Sequence, residues 1–317
     1  MPTEPTQSPP GTIYKLTQSV TTREYLLRPD GPIGQIFLFL LAVMSQRHGI
    51  AVHLAIVMSN HLHMLVTDIL GDRIQPFNRD FFSTLTRAIN VYRERTGNLL
   101  DPRGVNAVDI CPRAEDVIHH GSYVANNAVE ADLIDRAREW PGVNFLPSDM
   151  GRLRVQIPRP VWFFDPRGKW PEVATLELAI PEVVDCSREE LRERMIEDQR
   201  QKELAKRQSM GAAGKRFLGR KGILRQPLDS RPKEKPPAFQ HIPKVACKDA
   251  HLRMRMLTWR KARNIAYREC LERVRAGFDK VVFPVGTWFQ HFLCGRMRKP
   301  FADSHQGSTW VALMSET

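Results

Sequence analysis

His61 and His63 stand one residue apart in "AIVMSNHLHMLV", residues 55–66, inside an otherwise apolar run. Alternate residues of a strand share a face, so a strand here turns both imidazoles to one side and Leu62 and Met64 to the other. Such a pair can hold a divalent cation while leaving coordination positions open. Imidazole suits borderline metals, and carboxylate and water suit Mg²⁺, so a two-histidine site that handles phosphate favours Mn²⁺ or accepts Mg²⁺. The plainer alternative makes one histidine a hydrogen-bonded core residue and the other a surface residue. Tyr123 and Asn127, in "HHGSYVANNAVEADLI", are the second candidate pair. Positions i and i+4 lie on one helical face. An amide oxygen there can ligate a metal, and a phenol can attack phosphorus. A free phenol has a pKa near ~10, so attack at neutral pH requires a phosphate whose charge is neutralised. The alternative for both is an ordinary amphipathic helix, and His119 and His120 beside them suit positioning or local capping.

These residues need elements to carry them. Residues 12–20 read as a strand, and "RPDGP" (28–32) as a turn. Residues 33–47 read as a helix with Ile36, Phe37, Leu40, Leu41 and Met44 on one face, closed by "HGI". Residues 51–58 and 61–68 form an antiparallel strand pair through Ser59-Asn60. A helix over 80–95 and a strand over 105–110 follow. Residues 113–140 are helical, with a break expected near Gly121. The order predicts an α+β fold: a ferredoxin-like split-βαβ two-layer sandwich of four strands and two helices, with an added helix. A basic, mainly helical C-terminal region follows, with helices over 187–210 and 248–278. Residues 1–11 read as a disordered tail, 12–150 as the catalytic domain and 151–317 as the second region, with a flexible linker at about 211–239.

Charge divides the chain the same way. Residues 1–150 hold 13 Lys and Arg against 16 Asp and Glu, while residues 151–317 hold 34 against 19; the total is +12. A basic half suits a polyanion, nucleic acid above all, although basic helices also serve solubility. The candidate contacts are Arg216, Arg220, Lys221, Trp259, Arg260, Lys261 and Arg263, with a solvated helix face as the alternative. The five cysteines are scattered and form no C-x-x-C pair, which suggests reduced thiols in a cytoplasmic protein and excludes a zinc ribbon. No run of 18 apolar residues and no secretory signal pattern occurs, so neither a membrane span nor export is expected.

"IVMSNHLHMLV" resembles the HUH signature of the single-tyrosine transposases, M-P-N-H-x-H-L-L-V, with Ser59 in place of the proline. "SYVANNAVEADLI" resembles their tyrosine helix, Y-x-x-x-N-P-V-R-A-G-L-V, with Tyr123 and Asn127 at the matching positions. "REWPG" (138–142) and "QSVTTREYLLRPD" resemble flanking segments, and "VVFPVGTWFQ" (281–290) a tail segment of longer members. The similarity is to the IS200-like and REP-associated tyrosine transposases and covers about residues 12–145. Ala128, Glu130 and Asp132 depart from the pattern, and "GNLLDPRGVNAVDI" lacks the G-H-L-F-Q-G-R-Y motif. The resemblance implies that His61, His63 and Asn127 hold Mg²⁺ or Mn²⁺. It implies that Tyr123 cleaves single-stranded or hairpin DNA through a 5′-phosphotyrosine, which a 3′-OH later reverses. Relatives include homodimers and monomers. Competing readings are a domesticated, catalytically weakened DNA-binding protein, a metal-dependent hydrolase that does not use the tyrosine, and an RNA-binding protein.

Overall fold

Alternation of buried and half-buried residues over Thr12–Ser19 makes the first strand, β1. The helix α1 (Gly31–His48) begins with Pro32 in its first turn, where proline costs no hydrogen bond, and stops at Gly49, whose φ of 64° is readily adopted only by glycine. The strands β2 (Ile50–Val57) and β3 (His61–Asp68) follow, then α2 (Ile74–Tyr92), β4 (Asn106–Ile110) and α3 (Ala114–Glu130). Beyond them lie a hairpin of β5 (Arg154–Pro158) and β6 (Val173–Glu177), then α4 (Arg188–Ala212), α5 (Gly219–Arg225), β7 (Val245–Ala246) and α6 (Ala250–Arg275). The computed structural model describes residues 9–102, 104–232, 243–278 and 281–284. Residues 1–8 of the expected tail, residues 233–239 of the expected linker and residues 285–290 of the tail segment lie outside these.

The main sheet is mixed, in the order β2-β3-β1-β4-β7. Its first three pairings are antiparallel, and β7 joins β4 in parallel. In register, Ser19 faces His61 and Thr17 faces His63. α1 and α2 pack together through an edge-on Phe37–Phe81 contact, with ring centroids 5.5 Å apart. α3 packs against β2, β3 and β4, and α4 covers α3.

α1 is buried on more than one side, which accounts for its nearly unbroken apolar sequence. The β5–β6 hairpin lies on it, and Phe39 meets Phe164 and Trp170 at 5.3 and 6.2 Å. One continuous core therefore runs from Ile13 to Ile223, through Ile157, Leu176, Leu191 and Met195. Packing shows no break at residue 150, where composition changes. The expected linker also contains α5, whose Ile223 is fully buried and whose start is tied to the segment after α3 by Leu218 N–H to Asp132 O and Gly219 N–H to Leu133 O. No helix among the described residues is long and apolar enough to cross a membrane.

Three element boundaries differ from expectation. α2 starts at Ile74, six residues before the expected 80, because the Asp68 carboxylate accepts from the backbone N–H groups of Gly71, Arg73 and Ile74 at 2.8–2.9 Å and holds its first turn. α3 runs through Gly121 without a break. A Cβ at that position would stand 2.6 Å from the Met195 sulfur, so glycine lets α4 approach α3. α3 ends at Glu130, well before 140, and Asp132 turns the chain with φ 58°. Glycine stands at that position in the resembled pattern, and Asp is among the few other residues that tolerate it.

His53 sits at an irregularity in the β2–β3 register, between Val52 and Leu54. Its buried ring bridges the Ala179 carbonyl at 2.8 Å and the Thr67 hydroxyl at 2.7 Å. Burial pushes its pKa down to about 4, so the folded protein keeps it neutral while the unfolded chain protonates below about 6.5. Its contribution to stability is therefore complete above pH 6.5 and is lost as pH falls towards 4, on the order of 3 kcal/mol. Denaturant titrations across that window are expected to show this slope in the wild type and a flatter one in His53→Gln.

Candidate functional site

The turn into β3 sets the first histidine. Met58 N–H bonds His61 O at 2.8 Å, and Asn60 O accepts from Val20 N–H. The Asn60 amide donates to Arg23 O, which leaves its Oδ1 facing His61 Nδ1 at 2.7 Å. His61 Nδ1 therefore carries the proton and Nε2 the lone pair. That nitrogen faces Asn127 Oδ1 at 3.1 Å. Two acceptors in contact are resolved either by a cation between them or by a turned Asn127 amide.

His63 is 4 % exposed. Its Nδ1 meets the Thr17 hydroxyl at 2.8 Å, and its buried Nε2 has no hydrogen-bond partner. Burial lowers the pKa of both histidines, His63 further than His61, with His61 and Lys15 adding to the shift at His63. Both rings are thus neutral donors of electron pairs, 4.9 Å apart between centroids. With Thr17 and Asn60 on the Nδ1 sides, each Nδ1 that carries its proton has an outer-shell partner of the kind that orients metal-bound imidazoles. An orphaned Nε2, an apposed lone pair and a neutral amide oxygen form a donor set that fits a divalent cation.

α3 supplies the other two groups. Tyr123 and Asn127 share its sheet-facing side, and the Tyr123 ring lies 5.4 Å from the His63 ring. Tyr123 is 40 % exposed, so part of its side chain is open to an incoming molecule. Partial burial raises its pKa, the hydrogen bond to Asn127 pulls it down, and the Glu130 carboxylate adds to the rise. The helix is held from behind: Asn126 donates to Gln199 O in α4 at 3.1 Å. Trp140 of "REWPG" donates to Val57 O at 3.0 Å and so ties the segment after α3 to the end of β2.

Lys15 belongs to the same cluster and carried no sequence motif. It shares a β1 face with Thr17, and its ammonium lies 4.9 Å from the centre of the Tyr123 ring. Burial lowers its pKa. Alternation along β1 could have revealed it only once the pairing of β1 with β3 was known. His120 is half-buried, and Lys15 is the charge that most depresses its pKa after burial, to about 3; the exposed His119 lies towards Lys202 and Asp198 of α4. A cleft of about 540 Å³ lined by Ala51, His53, Thr67, Pro181 and Arg188 contains none of the Tyr123 cluster.

The basic candidates divide into two groups. Arg216, Arg220 and Lys221 are exposed around α5, which is anchored just beyond the end of α3. Trp259, Arg260, Lys261 and Arg263 lie on α6, at the β4–β7 edge of the sheet. Lys261 is exposed, and the Arg263 guanidinium stacks over Trp259 at 4.4 Å. Arg260 differs from expectation: it forms an ion pair with the buried Asp109 carboxylate and is nearly covered. Its charge docks α6 onto β4 and is not offered to solvent.

A second cluster was not visible in sequence spacing. Cys111, Asp116 and Cys247 are all buried, and their ligand atoms lie within 4.8 Å of one another, a grouping able to hold a metal ion. The two cysteines are 136 positions apart, so only the fold brings them together.

No family model matches the chain, and no curated protein matches it. A solved structure of a REP-associated tyrosine transposase bound to a REP hairpin is similar over 48 % of this chain and 87 % of its own, at 18 % identity and a TM-score of 0.38. Likeness at that level carries no argument about this chain's chemistry.

If Thr17 orients His63 for a metal, Thr17→Val should weaken Mn²⁺ binding by about 10- to 100-fold without unfolding the chain. Titration followed by electron paramagnetic resonance measures this. Unchanged affinity would mean that Thr17 does not orient His63 for the ion, and absence of Mn²⁺ binding in the wild type would point instead to a turned Asn127 amide.

Proposed function

We propose that the chain is a metal-dependent DNA strand transferase of the single-tyrosine HUH kind, cleaving and rejoining single-stranded DNA. The observation that carries this reading is the convergence of Tyr123, Asn127, His61 and His63, from a strand and a distant helix, on one partly open spot. The motif resemblance in β3 and α3 supports it. So does the order β2-β3-β1-β4, which is the arrangement a ferredoxin-like split-βαβ sandwich has. On this reading residues 12–150 form the catalytic unit, and residues 151–317 add basic surface.

His61, His63 and Asn127 would hold Mg²⁺ or Mn²⁺, which when bound supplies Lewis-acid charge at a scissile phosphate. Tyr123 loses its phenolic proton as its oxygen bonds phosphorus. The bond from phosphorus to the 3′ oxygen breaks, and that oxygen takes up a proton. A 5′-phosphotyrosine and a free 3′-OH result, and attack by a 3′-OH runs the exchange backwards. Because the phosphoester bond is kept in the covalent intermediate, no nucleotide hydrolysis is required. Lys15 holds the Tyr123 ring against β1 through its cation–π contact. The exposed cations around α5 lie beside the end of α3, where a flanking strand would run.

One observation favours a second reading, a catalytically weakened DNA-binding protein on the same scaffold. Glu130 stands where the resembled pattern has arginine, and its carboxylate opposes ionisation of Tyr123.

A labelled hairpin with single-stranded flanks, incubated with Mn²⁺, decides between them. A covalent adduct mapped to Tyr123, absent in Tyr123→Phe and reduced at least about 100-fold in His61→Ala and His63→Ala, supports strand transfer. Binding without an adduct in the wild type supports the second reading. Cleavage that survives Tyr123→Phe but not His61→Ala indicates a hydrolase.

The basic residues give a separate test. Arg220→Gln and Lys221→Gln should each lower the slope of log affinity against log salt by about 0.7 for single-stranded DNA. Arg260→Gln should leave the slope unchanged and lower stability by about 3 kcal/mol or more, because it strands the buried Asp109.

A further inference from the structure

We propose that Cys111, Asp116 and Cys247 form a site for a thiophilic divalent cation, zinc foremost, that staples the β7–α6 segment to β4 and α3. This site is separate from the histidine cluster. Cys111 follows the Ile13-paired end of β4, whereas His63 is level with Thr17 at the other end of β1. Along α3, Asp116 precedes Tyr123 by seven residues, about 10 Å of helix.

Local structure places all three ligands. Parallel pairing of β4 with β7 sets Ile110 opposite Ala246, and Cys111 N–H bonds Ala246 O at 3.0 Å. Cys111 and Cys247 are therefore the next residues on adjacent strands. Asp116 enters from the first turn of α3. One of its carboxylate oxygens accepts from Lys248 N–H at 2.8 Å, and the other, buried, accepts from no N–H or O–H. With only the Cys247 thiol, a weak donor, and one backbone N–H against it, the Asp116 carboxylate is poorly satisfied in the apolar surroundings of Val245, Met256 and Trp259. A cation satisfies it.

The chemistry is consistent with zinc. Thiolate and carboxylate are both zinc ligands, and a tetrahedral site with Zn–S bonds near 2.3 Å has ligand–ligand edges of about 3.8 Å. Ligand atoms already within 4.8 Å reach that geometry by side-chain rotation. On binding, each thiol loses its proton to solvent and the sulfur electron pair bonds the metal. Two thiolates and a carboxylate leave one negative charge over a dication; the Arg113 guanidinium lies near Cys111 but is shared with the Asp185 and Asp249 carboxylates. Lys248, Glu115 and Asp249 are the other charged groups around the site. Three protein ligands leave the fourth position to water.

The test uses the full chain, kept reduced with a phosphine, exchanged with zinc or cobalt(II) and freed of loose metal. About one zinc per chain is expected once the histidine site is removed by His61→Ala and His63→Ala. The cobalt protein should show thiolate-to-cobalt absorption in the near ultraviolet. In that double variant both should be lost on adding Cys111→Ser or Cys247→Ser, and both retained on adding Cys186→Ser. Asp116→Asn should weaken zinc at least tenfold, and chelation should lower the melting temperature of the wild type. Zinc content no higher than in a Cys111→Ser, Cys247→Ser chain overturns the proposal, as does metal that disappears with the histidines. If the serine variants fail to fold, the cobalt spectrum of the wild type decides: absence of thiolate bands overturns it.

Discussion

Burial of two imidazoles between a strand and a helix is the constraint on which the rest of the candidate site depends. Desolvation keeps His61 and His63 uncharged, so each brings a lone pair to a space with little water to satisfy it. Asn60 and Thr17 take up the Nδ1 sides, which turns the Nε2 sides inward. A core built only for stability would fill this place with aliphatic side chains of similar volume. A buried His63 Nε2 without a partner, beside a His61 Nε2 that meets only the Asn127 amide, is tolerated at functional sites and seldom elsewhere.

Holding that arrangement requires a rigid frame on both sides. β1 sits at the middle of the antiparallel strands and fixes Thr17 and Lys15 against β3 by register alone. α3 is clamped between the sheet and α4, where Gly121 permits close approach and Gln199 accepts from Asn126. The groups on α3 therefore inherit their position from packing on the face turned away from the chemistry. The ion pair between Arg260 and Asp109 does similar work at the far edge, fastening α6 by a charge that sequence alone would assign to solvent.

Most elements were legible because their periodicities are strong. The strand over His61–Asp68 was readable to the residue and the bounds of the helix over residues 33–47 to within two, but not that this helix is covered on more than one face. The pairing of histidines with tyrosine and asparagine was legible only through motif resemblance, since spacing along the chain says nothing of distance between a strand and a helix 60 residues later. Boundaries failed where one side chain overrode local pattern. Asp68 starts α2 early by satisfying its first N–H groups, and Gly121 looks like a breaker but serves close packing. Lys15 and the Cys111–Cys247 neighbourhood stayed hidden because each is created by strand pairing, which has no local signature.

The aromatic cover that Phe164 and Trp170 place on Phe39 makes the change in composition at residue 150 a poor guide to where the polypeptide can be divided. Severing the chain there would strip one flank of α1 and present a row of large apolar side chains to water. Any ancestral or engineered shortening of this protein would have to replace that cover with polar residues along α1, or find another surface to shelter it.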